Sequence, residues 1–211
     1  MKYNYIAIEG NIGAGKTSLA RRLSEENNGR LILERFKDNS FLPKFYKDPK
    51  KYAFPLEMSF LADRYQQVKD QLIKGDLFST YVVADYIIDK SRIFASVNLE
   101  RDELILFNRL FDIIYPTLVK PDLIVYLHVP VEKIQNNINR RGRSYEQNIQ
   151  DSYLENLEKR YLTYLANNSD LRVLILDTST KDFVHNDEDY KSIRKLLDHD
   201  YPLGVQRISE F

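Results

Sequence analysis

Eight consecutive residues, Gly10-Asn11-Ile12-Gly13-Ala14-Gly15-Lys16-Thr17, match the pattern G-x-x-x-x-G-K-[ST] without a gap. The chemistry of that spacing is the holding of a triphosphate. Glycines let backbone N–H groups turn inward around phosphate oxygens at approaches a Cβ would obstruct. A helix opening at the lysine aims its first amides at the same anion, and Ser18 continues the cradle. Lys16 supplies a mobile cation to the terminal phosphates and Thr17 a hydroxyl for Mg²⁺. A dinucleotide site is disfavoured, because its G-x-G-x-x-G spacing is absent from glycines at 10, 13 and 15.

A triphosphate cradle serves switches, motors and kinases alike. A GTP-dependent switch needs D-x-x-G, and no glycine in the chain has Asp three positions before it. Thr180-Lys181-Asp182 is not a guanine-reading N/T-K-x-D either, since Phe183 holds the fourth position. A kinase needs a proton acceptor for the hydroxyl, cations around the transferring group, and exclusion of water. Glu34 ends the second apolar run, where a parallel sheet meets its ligand, and reads as that acceptor or as a solvated strand-end carboxylate. Arg140, Arg141 and Arg143 surround Gly142 after a helical stretch, which suits a lid carrying guanidiniums over phosphates.

The elements that must position these residues follow from periodicity. Tyr3–Glu9 reads as a buried strand running into the loop, Thr17–Glu26 as a helix, and Leu31–Leu33 as a second strand. Phe54, Leu56, Phe60, Leu61, Tyr65, Val68 and Leu72 have helical spacing. Thr80–Ala84, Leu123–Val129 and Val173–Leu176 are further strand-like runs, separated by helical segments at Leu99–Val119, Val131–Asn139 and Ser152–Ala166. Alternating strands and helices predict an α/β chain with a parallel sheet covered on both faces. The 211 residues fit one domain. With 31 Lys+Arg against 31 Asp+Glu, no charge excess asks for nucleic acid or an anionic membrane as partner. The absence of cysteine excludes disulfides, thiolate metal sites and a cysteine nucleophile. No apolar run has the length of a membrane span, and the expected setting is the cytoplasm. His128, His185 and His199 suggest no metal site.

Glu34, the stretch Tyr52-Ala53-Phe54-Pro55-Leu56-Glu57, the sequence Arg141-Gly142-Arg143-Ser144-Tyr145-Glu146-Gln147 and the late Lys181-Asp182-Phe183 together resemble the deoxynucleoside kinase family, from Ile6 to about Phe183. The resemblance implies a three-layer phosphate-loop kinase fold with a five-stranded parallel sheet flanked by helices, a single domain with a lid at about 140–147, and a homodimer. It also implies transfer of the γ-phosphoryl group of ATP or another nucleoside triphosphate, with Mg²⁺, to a deoxynucleoside 5′-hydroxyl. Carried over residue by residue, it makes Glu34 the proton acceptor, places Tyr46 and Glu146 at the sugar 3′-hydroxyl, and makes Arg141 and Arg143 lid arginines. Phe183 would lie against the donor base and Arg64 would line the acceptor site.

The chain departs from the family pattern at three places. Glu57 and Lys90 stand where many members have Gln and Asp at base-reading positions. Ala84-Asp85-Tyr86 replaces Asp/Glu-Arg-Ser, so Asp85 is free to hold Mg²⁺ with Thr17, as an acid ending an apolar strand does. Asn137 stands where relatives place another lid arginine. An ionised Glu57 only accepts hydrogen bonds. It suits the adjacent N1–H and N2–H donors of guanine, whose O6 and N7 suit Lys90. This predicts deoxyguanosine as the preferred acceptor. In the alternative, Glu57 and Lys90 neutralise one another as an ion pair. A deoxyadenosine/deoxycytidine kinase, a nucleoside monophosphate kinase and a non-catalytic nucleotide-binding subunit are the competing readings; a monophosphate acceptor would be repelled by Glu34.

Overall fold

The computed structural model describes residues 2–26, 28–36, 39–70 and 81–211. Six strands build one parallel sheet in the order β2-β3-β1-β4-β5-β6, from β1 (Tyr5–Gly10), β2 (Arg30–Ile32), β3 (Val82–Ala84), β4 (Leu123–His128), β5 (Arg172–Asp177) and β6 (Gly204–Ile208). Between them run α1 (Lys16–Glu26), α2 (Leu42–Lys47), α3 (Pro49–Val68), α4 (Lys90–Asn98), α5 (Arg101–Ile114), α6 (Val131–Arg141), α7 (Asp151–Asn167) and α8 (Asp187–Leu196).

The two-residue period of the strands sorts their side chains onto two covered faces. Ile6, Ile8, Leu123, Val125, Leu127, Leu174 and Leu176 pack with Leu19 and Leu23 of α1, Ile134 and Ile138 of α6, and Ile193 of α8. The alternate positions Ala7, Ile124, Tyr126, Val173 and Ile175 meet Ile93 of α4 and Leu157, Tyr161 and Leu165 of α7. Tyr5, Ile32 and Ala84 complete that face against Leu61 and Val68 of α3 and Phe107 and Phe111 of α5. Fully buried strands between two helical layers are what near-continuous apolar runs require.

Two elements differ from the periodic reading, and part of two others is not described. The sheet has six strands where five are expected: β6 adds to the edge beside β5, with Leu174 opposite Gln206. Its residues alternate between half-buried and exposed, so an edge position accepts Gln206 and Arg207 and leaves no apolar run to detect. The helix expected over Leu99–Val119 is α5 and a 3-10 turn at Tyr115–Thr117, with the Glu103 carboxylate accepting the N–H of Glu100 as α5 begins, and a separate helix that the spacing does not show, α4, precedes it. Leu72 and Thr80, expected in a helix and a strand, lie outside the described residues.

Candidate active site

β1 ends at Gly10 and α1 begins at Lys16, so residues 11–15 turn the chain through the loop between the two. Gly15 has φ +89°, and a Cβ there would stand 2.8 Å from Phe183 Cζ. Only glycine fits this position without displacing a ring that is itself in the core. Asn11 is fixed by donating Nδ2–H to the Leu154 carbonyl at 2.8 Å. Lys16 Nζ donates to the carbonyls of Gly10 and Asn11 at 2.8 and 2.9 Å. Burial and then the like charge of Lys90 bring its ammonium down to about 8, against the opposite influence of Glu9, Glu34 and Asp85.

The segments after β2 and β3 and the first turn of α1 deliver three acidic or hydroxyl side chains to one place. Thr17 Oγ donates to Asp85 Oδ2 at 2.6 Å, and Asp85 Oδ1 accepts the backbone N–H of Glu34 at 2.7 Å. A hydroxyl and a carboxylate so placed beside a phosphate loop are hard oxygen donors that fit Mg²⁺. Glu34 in turn is held by two cations. Its Oε1 accepts from Arg64 Nε and the terminal guanidinium nitrogen at 2.9 and 2.5 Å, and its Oε2 accepts from Lys90 Nζ at 2.6 Å. Burial alone would push the Glu34 carboxyl up; Lys90 and Arg64 outweigh it and hold the group well below the usual carboxylate range. Arg64 also donates to Ser91 Oγ at 2.7 Å, tying α3 to α4.

Lys90 therefore pairs with Glu34. Glu57 makes a different contact, accepting from Asn98 Nδ2 at 2.7 Å through Oε1, while its Oε2 is buried without a hydrogen-bond partner among the described residues. Burial drives the Glu57 carboxyl up to about 7, against the hydrogen bond from Asn98 and the charge of Arg64. Above the sheet edge, α6 ends at Gly142 with φ +70°, a left-handed cap that reverses the chain. Arg141 and Arg143, on either side of it, both donate to Glu146, the second at 3.1 Å. Arg143 also lies 3.9 Å from the Phe36 ring centroid. Tyr145 stacks on Tyr46 of α2 with centroids 5.8 Å apart.

An open cleft of about 1170 Å³ collects the loop residues Gly13–Ser18, Glu34, Asp85, Arg141, Arg143 and Phe183 on its walls. Tyr46, Glu57, Arg64, Lys90 and Glu146 are not among its lining residues. Glu57, Arg64 and Lys90 are buried in a layer within electrostatic reach of Glu34. Phe183 packs against Gly15 and is 4% exposed.

The family profile described as deoxynucleoside kinase matches residues 6–199. The chain belongs to the deoxynucleoside kinase family. It is 39% identical over 197 residues to a deoxyguanosine kinase of Bacillus subtilis (strain 168), covering 90% of this chain and 93% of that protein. It is 29% identical over 204 residues to a deoxyadenosine/deoxycytidine kinase of the same organism, covering 93% and 91%. Among solved structures, a deoxyadenosine kinase from M. mycoides with the products dCMP and a flexible dCDP bound superposes with a TM-score of 0.80 at 25% identity, over 92% of this chain and 98% of that one. Membership makes the chain an enzyme of phosphoryl transfer to a deoxynucleoside. No helix among its described residues is long and apolar enough to cross a membrane.

Apart from Asn137, the following residues of this deoxynucleoside kinase site carry no sequence signal of their own. Glu9, the penultimate residue of β1, is fully buried and accepts from the N–H groups of Ile87 and Gly10 and the Tyr161 hydroxyl. Lys133 donates to the carbonyls of Thr178, Ser179 and Lys181, and Asn137 donates Nδ2–H to Gly13 O at 2.9 Å. Asn98 is recognisable only once α4 and α3 are seen to touch. Asn137 shows in the sequence as a departure: a short amide in place of an arginine, it reaches the loop backbone.

Proposed function

We propose that this enzyme transfers the γ-phosphoryl group of ATP, with Mg²⁺, to the 5′-hydroxyl of a purine deoxynucleoside, deoxyguanosine before the others, in nucleotide salvage. The observation that carries the base preference is the orphaned Oε2 of Glu57, a buried acceptor with no donor among the described residues. Buried polar atoms are almost always partnered, and the N1–H and N2–H of guanine are donors of the matching kind. Thymine and cytosine lack that pair. Two relatives at 39% and 35% identity are named deoxyguanosine kinase, which supports the same choice.

In this reading phosphate oxygens replace the Gly10 and Asn11 carbonyls as acceptors for Lys16, whose burial beside Lys90 leaves its charge in demand of an anion. Thr17 and Asp85 would hold Mg²⁺, which when bound neutralises charge on the phosphates. Glu34 orients the 5′-hydroxyl and takes its proton as the 5′-oxygen bonds phosphorus and the β–γ bridging oxygen leaves with its electron pair. A carboxylate kept ionised by two cations is a weak base, and a loose transition state needs only a late proton acceptor. Arg141 and Arg143 pivot about Gly142 to follow the transferring charge, exchanging Glu146 for phosphate. Tyr46 and Glu146 hold the sugar 3′-hydroxyl, Arg64 and Lys90 set Glu34, and Phe183 backs the donor end of the cleft. The homodimer is supported by Ile105, Leu106 and Ile113, large apolar side chains exposed on α5.

Phosphorylation of the four natural deoxynucleosides at pH 8, followed by coupled ADP release, tests the proposal. Deoxyguanosine should show the highest kcat/KM, by about tenfold or more, the worth of one mismatched buried polar contact. Equal or better turnover of deoxycytidine or thymidine overturns it.

A further inference from the structure

The two oxygens of Glu57 are unequal. Oε1 accepts the Nδ2–H of Asn98, the last residue of α4, and Oε2 is buried with no hydrogen-bond partner among the described residues. The Asn98 amide is itself held, because its Oδ1 accepts the Tyr153 hydroxyl of α7 at 3.2 Å. Burial, with the field of Glu57, pushes that phenol far above its ordinary range, so it remains a donor. An amide anchored through its oxygen must present N–H to Glu57. A proton arriving at the carboxyl then goes to Oε2, since an N–H already occupies Oε1.

We propose, resting on the base-reading role given to Glu57 above, that Asn98 and Tyr153 make Glu57 Oε2 the atom that discriminates purines. Ionised, it accepts from guanine N1–H; protonated, it donates to adenine N1, so one site takes both purine deoxynucleosides. The groups that face this carboxyl are Arg64 from its own helix, Glu34 from the segment after β2, Lys90 from α4 and Tyr153 from α7, with Tyr46 of α2 acting on Tyr153. Burial, the largest influence among them, brings the carboxyl up to about 7, so both forms are populated near neutrality.

The test is a competition: deoxyadenosine and deoxyguanosine in one mixture with ATP, from pH 6 to 8, reading the ratio of their kcat/KM values. Titrations that affect both substrates alike cancel in the ratio. One proton separates the two forms of Glu57, so the deoxyadenosine-to-deoxyguanosine ratio should rise about tenfold per unit of falling pH, roughly 100-fold over the range. In Glu57→Gln, Asn98 holds the amide oxygen and leaves Nε2–H at the reading position; the ratio should favour deoxyadenosine and be flat with pH. Asn98→Ala removes a hydrogen bond that favours the ionised form, and should move the ratio toward deoxyadenosine by about tenfold at every pH. A merely structural Asn98 would lower both substrates equally. A flat wild-type ratio with deoxyguanosine still preferred at pH 8 overturns the discrimination by Oε2 and leaves the base-reading role standing. Loss of deoxyguanosine preference at pH 8 overturns both.

Discussion

Glu34 is the side chain on which the cationic residues of the site converge, with Arg64 on one oxygen and Lys90 on the other. Glu34→Gln should lower kcat by about 10²- to 10⁴-fold, the range for a lost proton acceptor, in a steady-state assay saturated with both substrates. ATP affinity measured by calorimetry should stay within a few-fold, because Lys16 and the loop are untouched. The same change leaves Arg64 and Lys90 facing a neutral amide, so melting temperature should fall. The pH dependence follows in sign: the folded Glu34 carboxyl is depressed, so its pairing contributes above the unfolded value of ~4.3 and fades as pH drops through the folded one. Glu34, Thr17 and Asp85 were legible because each sits at a strand end or a motif position, where local spacing alone sets its address. Lys90 was legible as a departure, but its partner was not: sequence left Glu57 and an exposed base edge as its options, and tertiary packing chose Glu34. Asn98 and Tyr153 were invisible because their roles arise where α3, α4 and α7 meet, 41 and 55 residues apart in chain separation for the two bonds.

Among the elements, α6 does more than carry the arginines at its end. Lys133 and Asn137 lie one turn apart on one face of it, and through them the helix grips both the 178–181 turn and the phosphate loop. Burial lowers the Lys133 ammonium, yet three carbonyls satisfy its three donors. Lys133→Met should therefore raise KM for ATP about tenfold while the deoxynucleoside KM and kcat at saturation hold, as initial-rate kinetics with each substrate varied will read. Most elements were legible through period: β1, β4 and β5 alternate two faces of apolar residues, and the amphipathic α1, α6 and α7 fall within about two residues of their expected limits. The rest was not, for definite reasons. β6 is a polar edge strand with Pro202 before it and Gly204 as its first residue, and α4 opens with Lys90, Ser91 and Arg92, which a periodic apolar stripe does not mark.

For the molecule as a whole, the two sheet faces are covered and the remaining large apolar exposure includes a stripe on α5, where Ile113 is 70% exposed. Such a stripe is covered by self-association when a second copy presents the same surface. Ile113→Glu should convert a species of twice 25.0 kDa to one of 25.0 kDa in light scattering at micromolar concentration, with the far-UV spectrum unchanged. Charge is balanced over the chain, 31 against 31, and positive groups of the site, Lys16, Lys90, Arg64, Arg141 and Arg143, gather at one edge of the sheet. The stack of Tyr145 on Tyr46 joins the segment after α6 to α2 across that edge. Because the chain has 15 tyrosines and no tryptophan, its near-ultraviolet emission has an empty red side. Tyr145→Trp would place a lone indole at the hinge of that contact, and its emission should shift when ATP is added, an optical gauge of closure that needs no attached dye.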